Sequence, residues 1–547
     1  MTVFERNNGP ELSISDEPWI PVVRAGSSDP ELVSLRHFLL DAGQLSSLAE
    51  ANPITRAALW RFLISMAYLV IDFQSQQQGV DDKRGRRKLV KAASESTTGF
   101  DPGSVEAVLD RWGESLFVFH PDKPFFQDPG LATDSSQKKP LGPLAITPFL
   151  PGDSSSRWGV NVEDAKVVNR PELVRRLITC WFYTPAGNSS RRRDPKSGTE
   201  SKRVLSAAAA NFPSLTNIFR VGGTVAESLC GNMVDEYFPM GRADGVPAFL
   251  DIGNLTIRTE EPHPLYSCTL SASTALVVGS SPGDEHFGTN FLRGSTIFDG
   301  RYDDPAARLG NLGLADDPHV IYLDNPKHKA NHPRLNLSGS FASLPSFTLK
   351  LNELALNEAS ATRWGVARAS RTVLGDKLGP PDLELVQIEQ GGTGSGRTIV
   401  GAQLMRTSAS RLGPALSSDD PVLARTRSTE VIDVLDPLLG DRQSARTYFR
   451  YALRRTIDEK GSGGIQELLR TASQDLLSQV GLSVAEVVQQ ISDNGVDSID
   501  LLDQKRRWRR IVMELFEDYA GPFRLSQTGA SRYWNAHGYL SAKLNEV

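Results

Sequence analysis

Cysteine is scarce in this sequence: Cys180, Cys230 and Cys268 are all there is in 547 residues. No two form a C-x-x-C pair, so neither a disulfide framework nor a thiolate zinc site is expected, and a reducing cytoplasm suits them. Charge of one sign is lacking too. With 60 Lys and Arg against 65 Asp and Glu, the net charge is -5. That balance argues against indiscriminate coating of nucleic acid, so any such binding has to come from local patches. No long apolar run is uninterrupted: residues 57–73 are broken by Arg61 and Asp72 and read as a buried helix, not a membrane span. Residues 1–8 carry no apolar stretch, so no signal peptide is expected.

Complete catalytic signatures are missing as well. No Gly-Lys-Ser/Thr follows a glycine-rich loop, which removes a phosphate-cradling P-loop. His328 and His332 stand four apart, but Asn325-Pro326 and His332-Pro333 break any helix that would aim both at one metal. The pairs Asp81-Asp82, Asp303-Asp304, Asp316-Asp317 and Asp419-Asp420 read as turn-forming acids, since adjacency does not make carboxylates converge on two metals. Gly279-Ser280-Ser281-Pro282-Gly283 has the letters G-x-S-x-G, yet Pro282 has no N–H to offer an oxyanion hole, so a plain turn is expected. The expectation is therefore no catalytic residue, no metal and no cofactor.

What is present suits a large globular protein. Hydrophobic residues make up 39%, with 8 Trp and 23 Phe, and at ~150 residues per domain the length fits about two to four domains. The fold class expected is α+β: a large mixed domain over 1–415, then a C-terminal four-helix bundle over 416–547, with the boundary in 411–420. Early on, Trp19 is expected to anchor a proline-flanked extended segment, and 32–40 to form a short helix. Asn52-Pro53 supplies a cap and a first-turn proline for a helix through Trp60, Leu63, Ile64, Ala67 and Ile71. Arg84-Gly85-Arg86-Arg87-Lys88 reads as an exposed basic loop. In the last third, Ala445, Tyr448, Phe449, Ala452 and Leu453 share one helical face. Arg442, Arg446, Arg450 and Arg454 recur every fourth residue on another. That row is open to two readings, solvated decoration or a track for phosphates.

Two further stretches invite a nucleic-acid reading. Gly391-Gly392-Thr393-Gly394-Ser395-Gly396-Arg397 lies between two segments rich in β-branched and apolar residues, so it reads as the tip of a hairpin. It lacks the G-x-G-x-x-G order and the following helix of a dinucleotide site. A mobile tip and a tip pressed against a nucleic-acid backbone both remain open. Residues 191–203 hold six basic and two acidic side chains among serines and a glycine, a composition that fits phosphate contact or simple solvation.

Ser15-Asp16-Glu17-Pro18-Trp19-Ile20-Pro21-Val22 and Lys123-Pro124-Phe125-Phe126-Gln127 resemble two signatures of the CasA family, the large subunit of the type I-E CRISPR surveillance complex Cascade. Asp317-Pro318-His319, Leu383-Glu384-Leu385 with Gly391-Gly392, and Tyr519-Ala520-Gly521-Pro522-Phe523 are similar in order and spacing. The resemblance implies a non-catalytic, cytoplasmic subunit that reads the protospacer-adjacent motif (PAM) in double-stranded DNA and helps open the duplex and form the R-loop. Its implied partners are the 5′ handle of the guide RNA, PAM-bearing duplex DNA, the backbone and small Cascade subunits, and the helicase-nuclease recruited in antiviral defence. No membrane is implied. By the same resemblance, Ser395, Gly396, Arg397 and Thr398 match the wedge hairpin, with Arg397 where the family carries a glutamine. Residues 184–198 match the PAM loop, through Gly187, Asn188, Arg191, Arg192, Arg193, Lys196 and Gly198, with arginines in place of a denser glycine run. Residues 154–169 match the loop that docks on the guide handle, with Arg157, Trp158 and Asn161 as contacts. Apart from the resemblance, in the phosphate-track reading of their row Arg442, Arg446, Arg450 and Arg454 would follow a DNA backbone. Two alternatives stand beside this: a metal-dependent nucleic-acid enzyme, and a protein-binding scaffold without DNA recognition.

Overall fold

The computed structural model describes residues 12–134, 139–142, 146, 167–183, 214–238, 245–250, 252, 263–269, 271, 273–280, 283–295, 318–320, 348–349, 382–391, 398–408, 420–440, 443–457 and 464–546. The chain divides into two compact units, 1–336 with 363–406, and 337–362 with 407–547. Helices and antiparallel strands mix in the first unit and helices alone fill most of the second, an α+β protein.

The first unit runs β1 (Ile20–Arg24), β2 (Pro30–Val33), α1 (Leu35–Leu40), β3 (Leu45–Leu48), α2 (Pro53–Gln77), α3 (Lys83–Ser94), α4 (Pro102–Arg111) and α5 (Leu131–Asp134). It continues with β4 (Val168–Asn169), α6 (Arg170–Tyr183), β5 (Ser214–Val221), α7 (Val225–Gly231), α8 (Pro264–Thr269), β6 (Ser273–Val277), β7 (His286–Phe287) and β8 (Phe291–Ser295). β9 (Asp382–Gly391) and β10 (Thr398–Ser408) close the series. The sheets are small, ordered β2-β1-β3, β10-β9-β5, β4-β7 and β6-β8.

α2 is the axis of this unit. The Asn52 side chain accepts from the backbone N–H of Ile54 and Thr55 at 2.9 and 3.2 Å, and Pro53 occupies the first turn, as the sequence predicts. Every residue from 56 to 72 is buried, so the helix is apolar all round because protein surrounds it. Its length and hydropathy would also allow a membrane span, but that apolar stretch lies wholly inside the fold. Around Phe62 gather Trp19, Phe125, Phe126 and Phe249, with Trp181 and Phe182 against Phe126. Burying one such ring stabilises by about 1.5–3 kcal/mol.

Two sequence expectations need correction here. Residues 30–33 pair as a strand with β1, and only Leu35–Leu40 is helical, because Ser34 caps it by accepting from His37 N. The basic run 84–88 is not a loop but part of α3, whose start is fixed by Asp82 accepting from Gly85 N and whose apolar side buries Val90 and Ala93.

The second unit holds α9 (Pro421–Leu439), α10 (Ala445–Ile457), α11 (Gly464–Asn494), α12 (Leu501–Ala520) and α13 (Gln527–Glu546). α10 packs against all four others, and Phe449, Leu476, Val484, Phe516, Tyr533 and Leu540 are sealed between them. The described residues thus contain five helices here where the sequence reading counted four. The extra one is α9, which carries Pro437 inside it and starts at Asp420, an N-cap accepting from Val422 and Leu423 N.

Candidate nucleic-acid interface

The hairpin that the sequence singled out is built on β9, and β9 is held by one buried cluster. Glu384, only 1% exposed, receives Arg56 in a two-pronged pair, Nε to Oε1 at 2.6 Å and Nη2 to Oε2 at 2.7 Å. Trp60 Nε1 donates to the same Oε1 at 2.8 Å. Arg56 also donates through Nη1 to the carbonyl of Leu48 at 2.6 Å. A carboxylate with three donors and a guanidinium with a carboxylate and a carbonyl satisfy one another, which is what a buried ion pair requires. The result pins β9 to α2, whose residues 56–72 are all buried. Of the residues assigned to the wedge, Ser395, Gly396 and Arg397 lie outside the described residues, and Thr398 opens β10.

β9 pairs antiparallel with β5 over eight residues, from Ser214 opposite Glu389 to Val221 opposite Asp382. Residues 184–213 leave the described fold after Tyr183, the last residue of α6, and return at Ser214. Ser214 sits across from Glu389, two residues before Gly391, beyond which the hairpin tip begins. Ser214, which follows one candidate stretch, and Gly391, which precedes the other, therefore lie at the same end of the sheet. Gly187, Asn188, Arg191, Arg192, Arg193, Lys196 and Gly198 themselves fall outside the described residues.

A second buried node ties the departure point to the return strand. The Tyr183 hydroxyl donates to Asn217 Oδ1 at 2.8 Å. Arg61 donates to both, Nε to the Tyr183 oxygen at 2.9 Å and Nη2 to Asn217 Oδ1 at 2.9 Å. Asn217 Nδ2 reaches the Val386 carbonyl of β9 at 3.5 Å. On the other edge of β5, the His319 carbonyl accepts from Ile218 N at 3.0 Å and its ring stacks on Phe219 at 5.1 Å. His319, the last residue of the Asp317-Pro318-His319 motif, thus braces the strand that β9 pairs with.

The motifs quoted for the resemblance are largely core anchors. Trp19 Nε1 donates to the Ile14 carbonyl at 2.8 Å. Phe126, at φ +54°, stacks on Phe249 at 4.6 Å. Gln127 bridges two segments, donating to the Val118 carbonyl and accepting from Val277 N, both at 2.7 Å. Arg157, Trp158 and Asn161 lie outside the described residues. Their segment rejoins the fold at β4, which pairs with β7.

In the second unit the arginine row splits. Arg442 lies outside the described residues. Arg446 is 8% exposed and donates through Nη1 to the Leu439 carbonyl at 3.3 Å, so it is withdrawn from any surface track. Arg450 and Arg454 are exposed. The reason is helical geometry: positions four apart advance about 40° per step, so a row that starts at the core edge ends in solvent. Sequence reasoning missed the cleft beyond that end. About 400 Å³ in volume, it is lined by Tyr451, Arg454, Arg455, Arg532 and Asn535, with no acidic side chain among the described lining residues. Arg455 lies over the rings of Tyr451 and Tyr539 at 5.5 and 5.8 Å. The signal in the sequence was the doubled Arg454-Arg455; Arg532, on another helix, could not be joined to it by spacing.

Among the described residues no group of three or more His, Cys, Asp or Glu could hold a metal. Ser280 is buried beside Gly279, a glycine at φ +62°. Asp82 and Asp420, from two of the Asp pairs, are helix caps. Cys180, Cys230 and Cys268 are free and buried, and burial pushes the Cys230 thiol far above the ordinary range.

The family model for CRISPR-associated protein Cse1 matches residues 14–286. The CRISPR-associated protein CasA/Cse1 of Thermus thermophilus is 26% identical over 181 residues, a stretch that spans 32% of this chain and 32% of that relative. Three solved structures share the fold along nearly the whole length. Cse1 from Acidimicrobium ferrooxidans has a TM-score of 0.64 at 16% identity, covering 99% of each chain. A chain of a CRISPR RNA-guided surveillance complex has 0.62 at 17%, covering 97% of this chain and 100% of its own. CasA (Cse1) of Thermus thermophilus has 0.58 at 15%, covering 98% and 100%.

Proposed function

Because the chain belongs to the Cse1 (CasA) family of CRISPR-associated proteins, we propose that it is the large, non-catalytic subunit of a type I-E Cascade complex. In this reading it recognises the PAM in double-stranded DNA, helps separate the strands, and recruits the helicase-nuclease. The observation behind it is the register of β5 on β9: Ser214, which follows 184–213 in sequence, lies opposite Glu389, two residues before Gly391, on a sheet pinned by Glu384 and Arg56. A basic stretch and a glycine-rich stretch that adjoin the same end of a sheet in sequence are what reading a duplex and prising it open would need. The base-pairing guide then does the sequence reading. Residues 154–169 are assigned to the guide handle. The last four helices, α10 to α13, are read as the bundle the family implies, with α9 packed on α10 and α11.

The test is mutational. Replacing Arg191, Arg192 and Arg193 by Gln is expected to weaken binding of PAM-bearing duplex and flatten its salt dependence, by roughly 0.9 in log–log slope per phosphate contact removed. An unchanged slope contradicts the assignment of that loop. Arg397→Ala is expected to slow strand opening, followed by a fluorescent base analogue, while leaving assembly of the guide complex intact. Equal loss of both would mean that the substitution damages the fold.

A further inference from the structure

Arg61 places a charge in the middle of α2, where it is 3% exposed. Its guanidinium closes a triangle with two buried side chains from other elements. It donates to the Tyr183 hydroxyl and to Asn217 Oδ1, and that hydroxyl donates to the same Oδ1. A buried charge stabilises a core no better than well-packed apolar side chains of similar volume, so stability does not account for it. What a planar fork with several donors supplies is direction, because it fixes two acceptors on different elements at once. Those elements bound the basic stretch. Tyr183 is the residue before 184–213, and Asn217 stands about 10 Å of strand beyond Ser214, the residue after it. Asn217 also lies opposite Val386 of β9, and Arg61 follows Trp60, which with Arg56 holds Glu384 of that same strand. A short piece of α2 thus sets the end of α6, β5 and β9 against one another.

We propose that Arg61 is a positioning residue for PAM reading: through Tyr183 and Asn217 it holds the two flanks of 184–213 in the placement that duplex recognition uses. The inference rests on the function proposed above and deepens it. A stretch whose flanks are anchored gives up less freedom on binding, which favours the one arrangement that meets the base edges. Contacts to phosphates carry no sequence information and depend on charge, which this node does not supply to the surface. Loosening the node therefore lowers affinity for a PAM-bearing duplex and leaves the sequence-independent part of binding as it was.

The experiment uses the guide-loaded complex with the full chain, fluorescent PAM-bearing and PAM-scrambled duplexes, and several salt concentrations. The variants are Tyr183→Phe, Arg61→Lys and the two combined. The control is Trp181→Phe, which breaks an equally buried bond on the same helix, Nε1 to the Thr269 carbonyl at 2.8 Å, away from the node. Tyr183→Phe and Arg61→Lys should each cut the PAM preference about tenfold, the scale of one hydrogen bond to a charged group. Binding of the scrambled duplex and both salt slopes should stay as in the parent. The combined variant should lose no more than Arg61→Lys alone, since both act through one node. Trp181→Phe should lower the thermal midpoint and keep the preference. A preference retained in both node variants would overturn the proposal. So would an equal loss for both duplexes, or a lost preference in Trp181→Phe that matches its lowered midpoint. A parent complex with no PAM preference would remove the function proposed above, and this inference with it.

Discussion

Glu384 shows how much one residue can determine here. It sits on β9 and is met by Arg56 and Trp60 from α2, 328 and 324 positions away in the chain. Nothing in the sequence links them, because periodicity and spacing report only neighbours along one element, so this part of the site was not legible beforehand. Glu384→Gln leaves the Arg56 charge buried without its carboxylate and is expected to cost about 3–5 kcal/mol in denaturant unfolding. Replacing both members, Glu384→Leu with Arg56→Met, should recover most of that loss; a double variant no better than the single one would show that the pair is not the reason. Tyr519 offers a pH readout in the second unit. Burial first, then the Asp475 carboxylate to which its hydroxyl donates, pushes its pKa from 10.0 up to about 12. The neutral phenol is favoured in the fold, so its contribution is full below pH 10 and is lost as pH rises through about 12. Alkaline unfolding should be shallower in Tyr519→Phe over that window, and an identical profile would contradict the assignment.

At the scale of elements, the local rules held where caps and apolar faces were explicit. Asn52-Pro53 announced α2, and the apolar stripe of Ala445, Phe449, Ala452 and Leu453 announced α10, all four of them buried. α9 was not among the four helices expected, although Asp420 marks its start as an N-cap. Asp420→Ala should cost about 1 kcal/mol, since it leaves the N–H groups of Val422 and Leu423 without their cap; the unfolding midpoint checks this. α3 was taken for a loop because charge dominates its composition, while Val90 and Ala93 supply just enough apolar surface to dock it. Legibility failed where a contact joined distant segments, as in the arginine cleft between α10 and α13.

For the molecule as a whole, net charge of -5 and basic residues gathered in 191–203, on α3 and around the α10–α13 cleft fit a protein that touches nucleic acid at chosen places. Long-range attraction is weak for such a chain, so discrimination has to come from short-range contact. In the proposed role this chain supplies PAM discrimination to a guide-loaded complex. The most direct measurement compares binding of PAM-bearing and PAM-scrambled duplexes to that complex with and without the chain. A preference for the PAM-bearing duplex is expected only when the chain is present. The same preference in its absence would rule out that role and leave the chain a scaffold.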